Sequence, residues 1–180
     1  MEDLGPAKFS LGIRIDQNNK KTSPIQETFI KNIFNEFNVL NLQPASYPLP
    51  NSYKDQVKQE PEKDLKPPFS FRRVIGLLQY VVQCTQTDLA FSCSYLLQFL
   101  NHPNSHHFKA LTHVFRYLAL TKHYTLTLGR NQLNRPESTV IRFKDANWNG
   151  GINKVSFSDS FIYYSGMIGW RAHKQRTKAC

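Results

Sequence analysis

The sequence lacks the features that mark membrane-spanning, secreted and nucleotide-binding proteins. No apolar run approaches the roughly 20 residues needed to cross a bilayer. The N-terminal stretch MEDLGPAKFS has neither the basic start nor the apolar segment of a signal peptide. The glycine-rich patterns GxxxxGKS/T and GxGxxG, whose backbone amides cradle phosphates, do not occur. We therefore expect a cytoplasmic protein with no membrane partner, and the nucleus is the alternative location.

Cysteine is scarce and shows no pairing pattern. The chain has three cysteines and no CxxC motif. Cys84 and Cys93 fall in apolar stretches of helical periodicity, so we interpret both as reduced, packed thiols rather than nucleophiles or disulfide partners. Three histidines lie close together, but no second Cys/His pair completes a tetrahedral zinc set: His102, His106 and His107. We expect these to be ordinary histidines at the start of a helix.

Acidic residues are scarce in the C-terminal part of the chain. Residues 116–180 contain 11 Lys/Arg and 3 Asp/Glu, whereas residues 1–115 contain 12 and 10. Most of the formal net charge of +10 therefore lies after residue 115. This asymmetry favours a polyanionic partner such as nucleic acid, and a solvated basic surface without a specific partner is the alternative.

The residues that are present predict an α+β fold. Apolar residues make up 40% of the chain and aromatic residues 13%, which is enough for a folded core. β-prone residues around a polar turn predict a hairpin over about 8–25. The stretch QETFIKNIFNEFNV then has the spacing of an amphipathic helix. A polar segment closed by two prolines predicts an exposed loop at about 51–68.

The middle of the chain is predicted to be mainly helical, and its C-terminal part is predicted to consist mainly of strands. Three helices are predicted between residues 70 and 120, with Thr87 or Asp88 capping the second and Ser105 capping the third. After residue 123 the stretches YTLTLGR, TVIRF and FIYYSGMIGW have the alternation of strands. We place the main boundary near residue 135.

Asp145 is the acidic residue with the clearest catalytic potential. It follows a predicted strand, TVIRFK, and precedes the turn-like stretch ANWNGG. A metal-dependent nuclease uses several carboxylates to hold two Mg²⁺ ions at the scissile phosphate. Glu137 and Asp159 are the other acids after residue 115. From spacing alone, a role as the first polar residue of a turn is favoured over a catalytic role.

Five stretches of the sequence, taken in order, resemble one family. They are MEDLGPAKFSLGIRI, SPIQETFIKNIFNEFNV, the long block from FRRVIGLLQY to FRYLALT, KDANWNGG and GMIGWRAHKQ. Together they resemble the Pol polyproteins of Ty1/copia-class LTR retrotransposons, from the end of the reverse transcriptase into ribonuclease H. The resemblance implies a primer-grip-like hairpin over 1–25, a helical thumb or connection region over 26–134 and a ribonuclease H-like start over 135–180.

In this resemblance Asp145 takes the position of the first ribonuclease H carboxylate, which would bind Mg²⁺. The chain departs from the family pattern at Asn147, where a second acid is usual, and at Asp159, where glycine is usual. The polymerase's paired aspartates would precede residue 1, and the next nuclease acid would follow Gln175 closely. We therefore expect a truncated ribonuclease H, both active sites incomplete, and no cofactor except Mg²⁺ if nuclease activity remains.

The resemblance implies three alternative functions. The first is a Pol-derived protein without catalysis of its own that contacts an RNA–DNA hybrid or other nucleic acid electrostatically. The cations expected to make that contact are Arg116, Lys122, Arg130, Arg142, Lys144, Arg171, Lys174 and Arg176. The second is a nuclease or reverse transcriptase component acting with another Pol chain. The third is a domesticated binding protein that interferes with an element's particle assembly. Gag and Pol proteins of the element are the expected protein partners, and its virus-like particles are a further location.

An incomplete ribonuclease H sheet has a structural consequence. It leaves one strand edge exposed and one face uncovered. We therefore expect residues 136–180 to be poorly stable by themselves, and the helical segment at 70–120 to be the more compact part.

Overall fold

The computed structural model describes residues 5–18, 21–50, 53, 67–129, 140–147, 156–164 and 167–175. Within them, helices and antiparallel sheets confirm the predicted α+β class. The elements in chain order are β1 (Phe9–Ser10), β2 (Ile13–Asn18), β3 (Lys21–Ile25), α1 (Glu27–Glu36), α2 (Phe71–Cys84), a 3-10 helix (Thr87–Leu89), α3 (Ala90–Leu97), α4 (Ser105–Thr121), β4 (Leu128–Gly129), β5 (Ile141–Asn147), β6 (Phe157–Tyr163) and β7 (Met167–Lys174).

The N-terminal sheet has the strand order β1-β2-β3-β4. The predicted hairpin is confirmed, with Asn18 opposite Lys21 at its tip. Leu11 and Gly12 adopt positive φ angles of 50° and 77° in the turn between β1 and β2, a conformation that glycine adopts without steric cost. In the described part of YTLTLGR, Leu128–Gly129 pair with β3. That short strand therefore extends the hairpin sheet and does not join the C-terminal one.

The hydrophobic core lies among the four helices. Periodicity predicted the buried face of α2, and Val74, Leu78 and Val81 are fully buried there, while Leu77 is half-buried. α1 and α4 contribute the same kind of stripe, including Ile30 and Phe115. Each fully buried side chain of this size stabilises the fold by about 1.5–3 kcal/mol, so this core is the main source of stability in the described part.

Two buried glutamines join the ends of several elements. The Thr85 hydroxyl donates to the Gln26 side-chain oxygen at 2.7 Å, which links the end of α2 to the residue before α1. Gln86 donates from Nε2 to the Thr121 carbonyl at 2.9 Å, at the end of α4. These bonds hold the hairpin sheet and the helices in one arrangement.

The predicted N-caps are wrong in both helices. Asn104, not Ser105, caps α4: its side chain accepts from the His107 amide at 3.1 Å, and the His107 ring accepts from the Asn104 amide at 3.0 Å. Because Pro103 is followed by two residues able to cap, sequence alone does not decide between them. The 3-10 helix runs directly into α3 without a side-chain cap. Asp88 accepts instead from the Tyr117 hydroxyl.

The described cysteines are packed thiols, as predicted. Cys84 and Cys93 form no disulfide. Burial raises the pKa of the Cys93 thiol to about 12, and desolvation also raises that of Cys84. The thiolate, which is the reactive form, is therefore disfavoured at both positions. Cys180 lies outside the described residues.

Most of the predicted loop at 51–68 also lies outside the described residues. Tyr53 within it is packed rather than exposed: its carbonyl accepts from the Tyr95 hydroxyl at 2.8 Å, and the two rings meet edge to face. Pro67 and Pro68 at its end are exposed. No helix in the described part of the chain is long and apolar enough to cross a membrane.

The C-terminal sheet is antiparallel with the order β5-β6-β7, and it packs on the helices through β6 and β7. The Trp170 indole donates to the Val82 carbonyl at 2.8 Å, and the Ser94 hydroxyl donates to the Ala172 carbonyl at 2.6 Å. The rings of Phe91 and Phe157 meet with centroids 5.3 Å apart. These contacts fix the sheet against the end of α2 and one face of α3.

Candidate nucleic-acid interface

The C-terminal sheet has two chemically different faces, because successive side chains of a strand point to opposite sides. The inner face, part of which meets the helices, includes Phe143, Asp145, Phe157, Asp159, Phe161, Trp170 and Ala172. The outer face includes Arg142, Lys144, Ser158, Ser160, Arg171 and His173, together with the apolar Ala146, Ile162 and Gly169. Register gives this division, and the contacts that Phe157 and Trp170 make with the helical body identify the inner face.

The outer face brings three of the predicted cations together. Lys144 lies opposite Ser160 on β6, and Ser160 lies opposite Arg171 on β7. With strands about 4.8 Å apart, the Lys144 and Arg171 backbones are roughly 10 Å apart, with a hydroxyl between them. Arg142 lies on the same face two residues before Lys144. All three cations are exposed, and within the described ranges none has a carboxylate within ion-pair distance.

The other predicted cations do not join this cluster. Lys174 lies opposite Phe157 and so on the inner-face side of the sheet end. Arg116 on α4 donates from Nε to the Gln43 carbonyl at 2.7 Å, which ties the segment after α1 to α4. Lys122 is the C-cap residue of α4. Two further predicted cations, Arg130 and Arg176, lie outside the described residues.

Asp145 lies inside strand β5, so its interpretation as the first residue of a turn is wrong. The strand continues to Asn147 because β6 pairs with it along its whole length. The Asp145 carboxylate is exposed and accepts from the Ala146 amide at 2.8 Å. Sequence alone missed this extension because the pairing partner lies about a dozen residues further along the chain.

Asp145 lies directly opposite Asp159 in the sheet. Burial raises the pKa of Asp159, the negative charge of Asp145 raises it further, and His173 lowers it. Like charges directly opposite each other destabilise a pair of strands. Sequence reasoning named both acids but not their contact, which only the register reveals.

This carboxylate pair does not fit a two-metal nuclease centre. Such a centre needs several acidic ligands around two Mg²⁺ ions. Within the described ranges, no group of three or more His, Cys, Asp or Glu side chains converges on a possible metal position. The pair supplies only two carboxylates, fewer than such a centre uses. The outer face, in contrast, has the chemistry of a phosphate-binding surface.

Comparison with curated proteins identifies relatives along nearly the whole chain. The retrovirus-related Pol polyprotein from transposon TNT 1-94 of Nicotiana tabacum is 29% identical over 187 residues, which cover 99% of this chain and 14% of the polyprotein. The chain is a homologue of retrovirus-related Pol polyproteins. The uncharacterized mitochondrial protein AtMg00810 of Arabidopsis thaliana is 28% identical over 179 residues, which cover 98% of the Pol-related chain and 71% of that protein.

A further relative is the secreted RxLR effector protein 161 of Plasmopara viticola. It is 31% identical over 107 residues, which cover 58% of the Pol-related chain and 72% of the effector, so the two belong to one family. No family model matches the chain. No solved structure matches it either. These relatives confirm the predicted relationship to retrotransposon Pol polyproteins.

Proposed function

We propose that this chain is a Ty1/copia-type Pol-derived protein that binds nucleic acid through the outer face of its C-terminal sheet and has no polymerase or nuclease activity of its own. Its proposed origin is the region from the primer-grip hairpin, over 1–25, through the thumb or connection, over 26–134, into ribonuclease H, over 135–180. The observation that carries the binding proposal is the row of Lys144, Ser160 and Arg171, whose two cations are exposed, with the exposed Arg142 beside it.

The chemistry of this row suits a phosphate backbone. Lysine, arginine and serine side chains are the groups that most often contact phosphate oxygens, and such contacts carry little sequence information. The three cations have no carboxylate within ion-pair distance in the described part of the chain, so binding need not first break an ion pair. We expect an RNA–DNA hybrid, or another nucleic acid, to bind without strong sequence preference.

The lack of catalysis is proposed from the chemistry of the inner face. Asp145 and Asp159 are the acids that come together there, and the charge of one opposes ionisation of the other. Hydrolysis with two Mg²⁺ ions needs more acidic ligands than these two, and we propose that another Pol chain would have to supply them. The proposed partners are therefore nucleic acid and, second, Gag or Pol proteins, in the cytoplasm, the nucleus or virus-like particles.

Fluorescence anisotropy with a labelled RNA–DNA hybrid tests the binding. The variant Arg142→Gln/Lys144→Gln/Arg171→Gln should weaken binding at least about tenfold. The reason is that binding releases about one counterion fewer for each phosphate contact that is lost. The matched control Lys8→Gln/Arg72→Gln/Lys109→Gln removes the same charge elsewhere and should retain most of the affinity. Equal weakening by both variants would show that net charge, and not this face, is responsible.

Incubation of the same hybrid with Mg²⁺ tests the proposed lack of activity. The wild-type chain should leave the RNA strand intact. Cleavage that disappears in Asp145→Asn would instead establish nuclease activity and contradict this part of the proposal, whatever the binding result.

A further inference from the structure

A cleft of about 220 Å³ lies between the inner face of the C-terminal sheet and the helical body. Phe91 of α3 and Asp88 of the 3-10 helix line one side, and Asp159, Phe161 and Trp170 line the other. The aromatic walls are held in place from behind. The Trp170 indole is fixed by its hydrogen bond to Val82, and Phe91 packs against Phe157.

The charged groups that line this cleft are the carboxylates of Asp88 and Asp159 and the guanidinium of Arg171, and the hydroxyls of Thr87 and Ser160 also line it. Asp88 and Asp159 reach it from the helical body and the sheet respectively. Asp88 accepts from the Tyr117 hydroxyl, and in the described part of the chain neither acid has a Lys or Arg within ion-pair distance. Arg171 also borders the cleft, but its register position puts it on the outer face. With two carboxylates and one guanidinium, the aromatic lining has a net negative formal charge in a chain whose net charge is +10.

We propose that this cleft binds the guanidinium group of an arginine side chain presented by a partner polypeptide. A guanidinium is planar, stacks on aromatic rings and donates in parallel to carboxylate oxygens, so it uses both the walls and the acids of this cleft. Phosphate is disfavoured because the acids repel it. A neutral apolar ligand would leave the carboxylates without a counter-charge.

The size and chemistry of the cleft favour arginine over other cations. A volume of about 220 Å³ accommodates one side chain rather than a folded surface. Lysine carries a compact, strongly hydrated charge and gains less from the aromatic walls. The proposal rests on the carboxylates and rings of the cleft, and the cleft shares Ser160 and Arg171 with the outer-face row.

NMR titration of the full chain, observed at the Trp170 indole N–H, tests the proposal with acetyl-arginine methylamide as the probe. A saturable shift is expected. The probe acetyl-citrulline methylamide has nearly the same shape as the arginine probe but no charge. The probe acetyl-lysine methylamide has the positive charge but no planar group. Both should bind at least about fivefold more weakly. If the citrulline or the lysine probe shifts the Trp170 signal as strongly as the arginine probe does, the proposal is overturned. It is also overturned if the arginine probe gives no saturable shift.

Protein variants locate the site. Asp159→Asn should weaken the arginine probe about tenfold, the typical effect of losing a hydrogen bond to a charged group. Asp16→Asn, a change at an exposed acid on β2, should leave the affinity unchanged. If both variants bind like the wild type, the proposed site is wrong. The citrulline comparison uses the wild-type chain, so it decides the question independently of any variant.

Discussion

Replacing Trp170 with phenylalanine should release the C-terminal sheet from the helical body. The Trp170 indole donates to the Val82 carbonyl, near the end of α2. The amide of Gln86, which would be the helical partner of that carbonyl, bonds to Val81 instead. The indole therefore satisfies one of the carbonyls that every helix leaves unpaired at its C-terminus.

The magnitude follows from this contact. Leaving a buried carbonyl unpaired costs about 1–3 kcal/mol. The smaller ring also gives up apolar contact with the core, worth about 1 kcal/mol. We expect Trp170→Phe to lower the free energy of opening the sheet by about 2–4 kcal/mol, which accelerates amide exchange there roughly 30- to 900-fold.

Hydrogen exchange followed by mass spectrometry measures this opening segment by segment. Peptides from β6 and β7 should lose protection in Trp170→Phe, while peptides from α2 and α4 should change much less. Phe143→Leu is the matched control, because Phe143 is 46% exposed on the inner face and far less engaged with the helices. Unchanged protection of β6 and β7, or equal loss in sheet and helices, would refute the role given to Trp170.

Three further predictions follow from single contacts. Asp159 has a raised pKa, so its carboxyl group stabilises the fold while protonated, and that contribution is lost as the pH rises from about 4 through the folded-state pKa. Asp159→Asn should therefore be more resistant to urea than the wild type at pH 7 but not at pH 3; no difference at pH 7 would contradict this. Asn104→Ala should lower the free energy of unfolding by about 1 kcal/mol in urea titrations, and Ser105→Ala by much less. A larger loss of stability in Ser105→Ala than in Asn104→Ala would show that Ser105 is the N-cap residue. Cys93 should resist alkylation by iodoacetamide at pH 8 in the folded chain because burial raises its pKa to about 12. Rapid alkylation of Cys93 in the native protein, detected by mass spectrometry, would show that this thiol is not packed in the core.

Local patterns in the sequence predicted the hairpin, the helices and the α+β class. Residues such as Val74 and Leu78 recur at the helical period, and that period alone determines which side is buried. The caps were wrong because Asn104 and Ser105 are adjacent and both able to cap. Which one does so depends on the His107 ring accepting from the Asn104 backbone amide.

The candidate site was predictable only in part. Three of the eight predicted cations form the row on the outer face, and strand alternation suggests that Arg142 and Lys144 share a side. The row itself, the contact of Asp145 with Asp159 and the cleft under Trp170 all depend on pairing between distant segments. Local sequence does not specify such register, because shifting a strand by one residue exchanges its two faces.

The uncovered part of the inner face bears on the predicted low stability of residues 136–180. The rings of Phe143 and Phe161 stack with centroids 4.5 Å apart, yet they are 46% and 36% exposed. Exposed aromatic pairs of this kind commonly mark an association surface or an aggregation-prone one. The stability of this region remains a prediction, and the exchange experiment above measures it directly.

The salt dependence of hybrid binding tests the central claim most directly. Three phosphate contacts on the outer face predict a slope of about −2 to −3 in a plot of log K against log salt concentration. The Arg142→Gln/Lys144→Gln/Arg171→Gln variant should bring that slope close to zero. A slope that is the same in the variant and the wild type would show that nucleic acid binds elsewhere and would contradict the account.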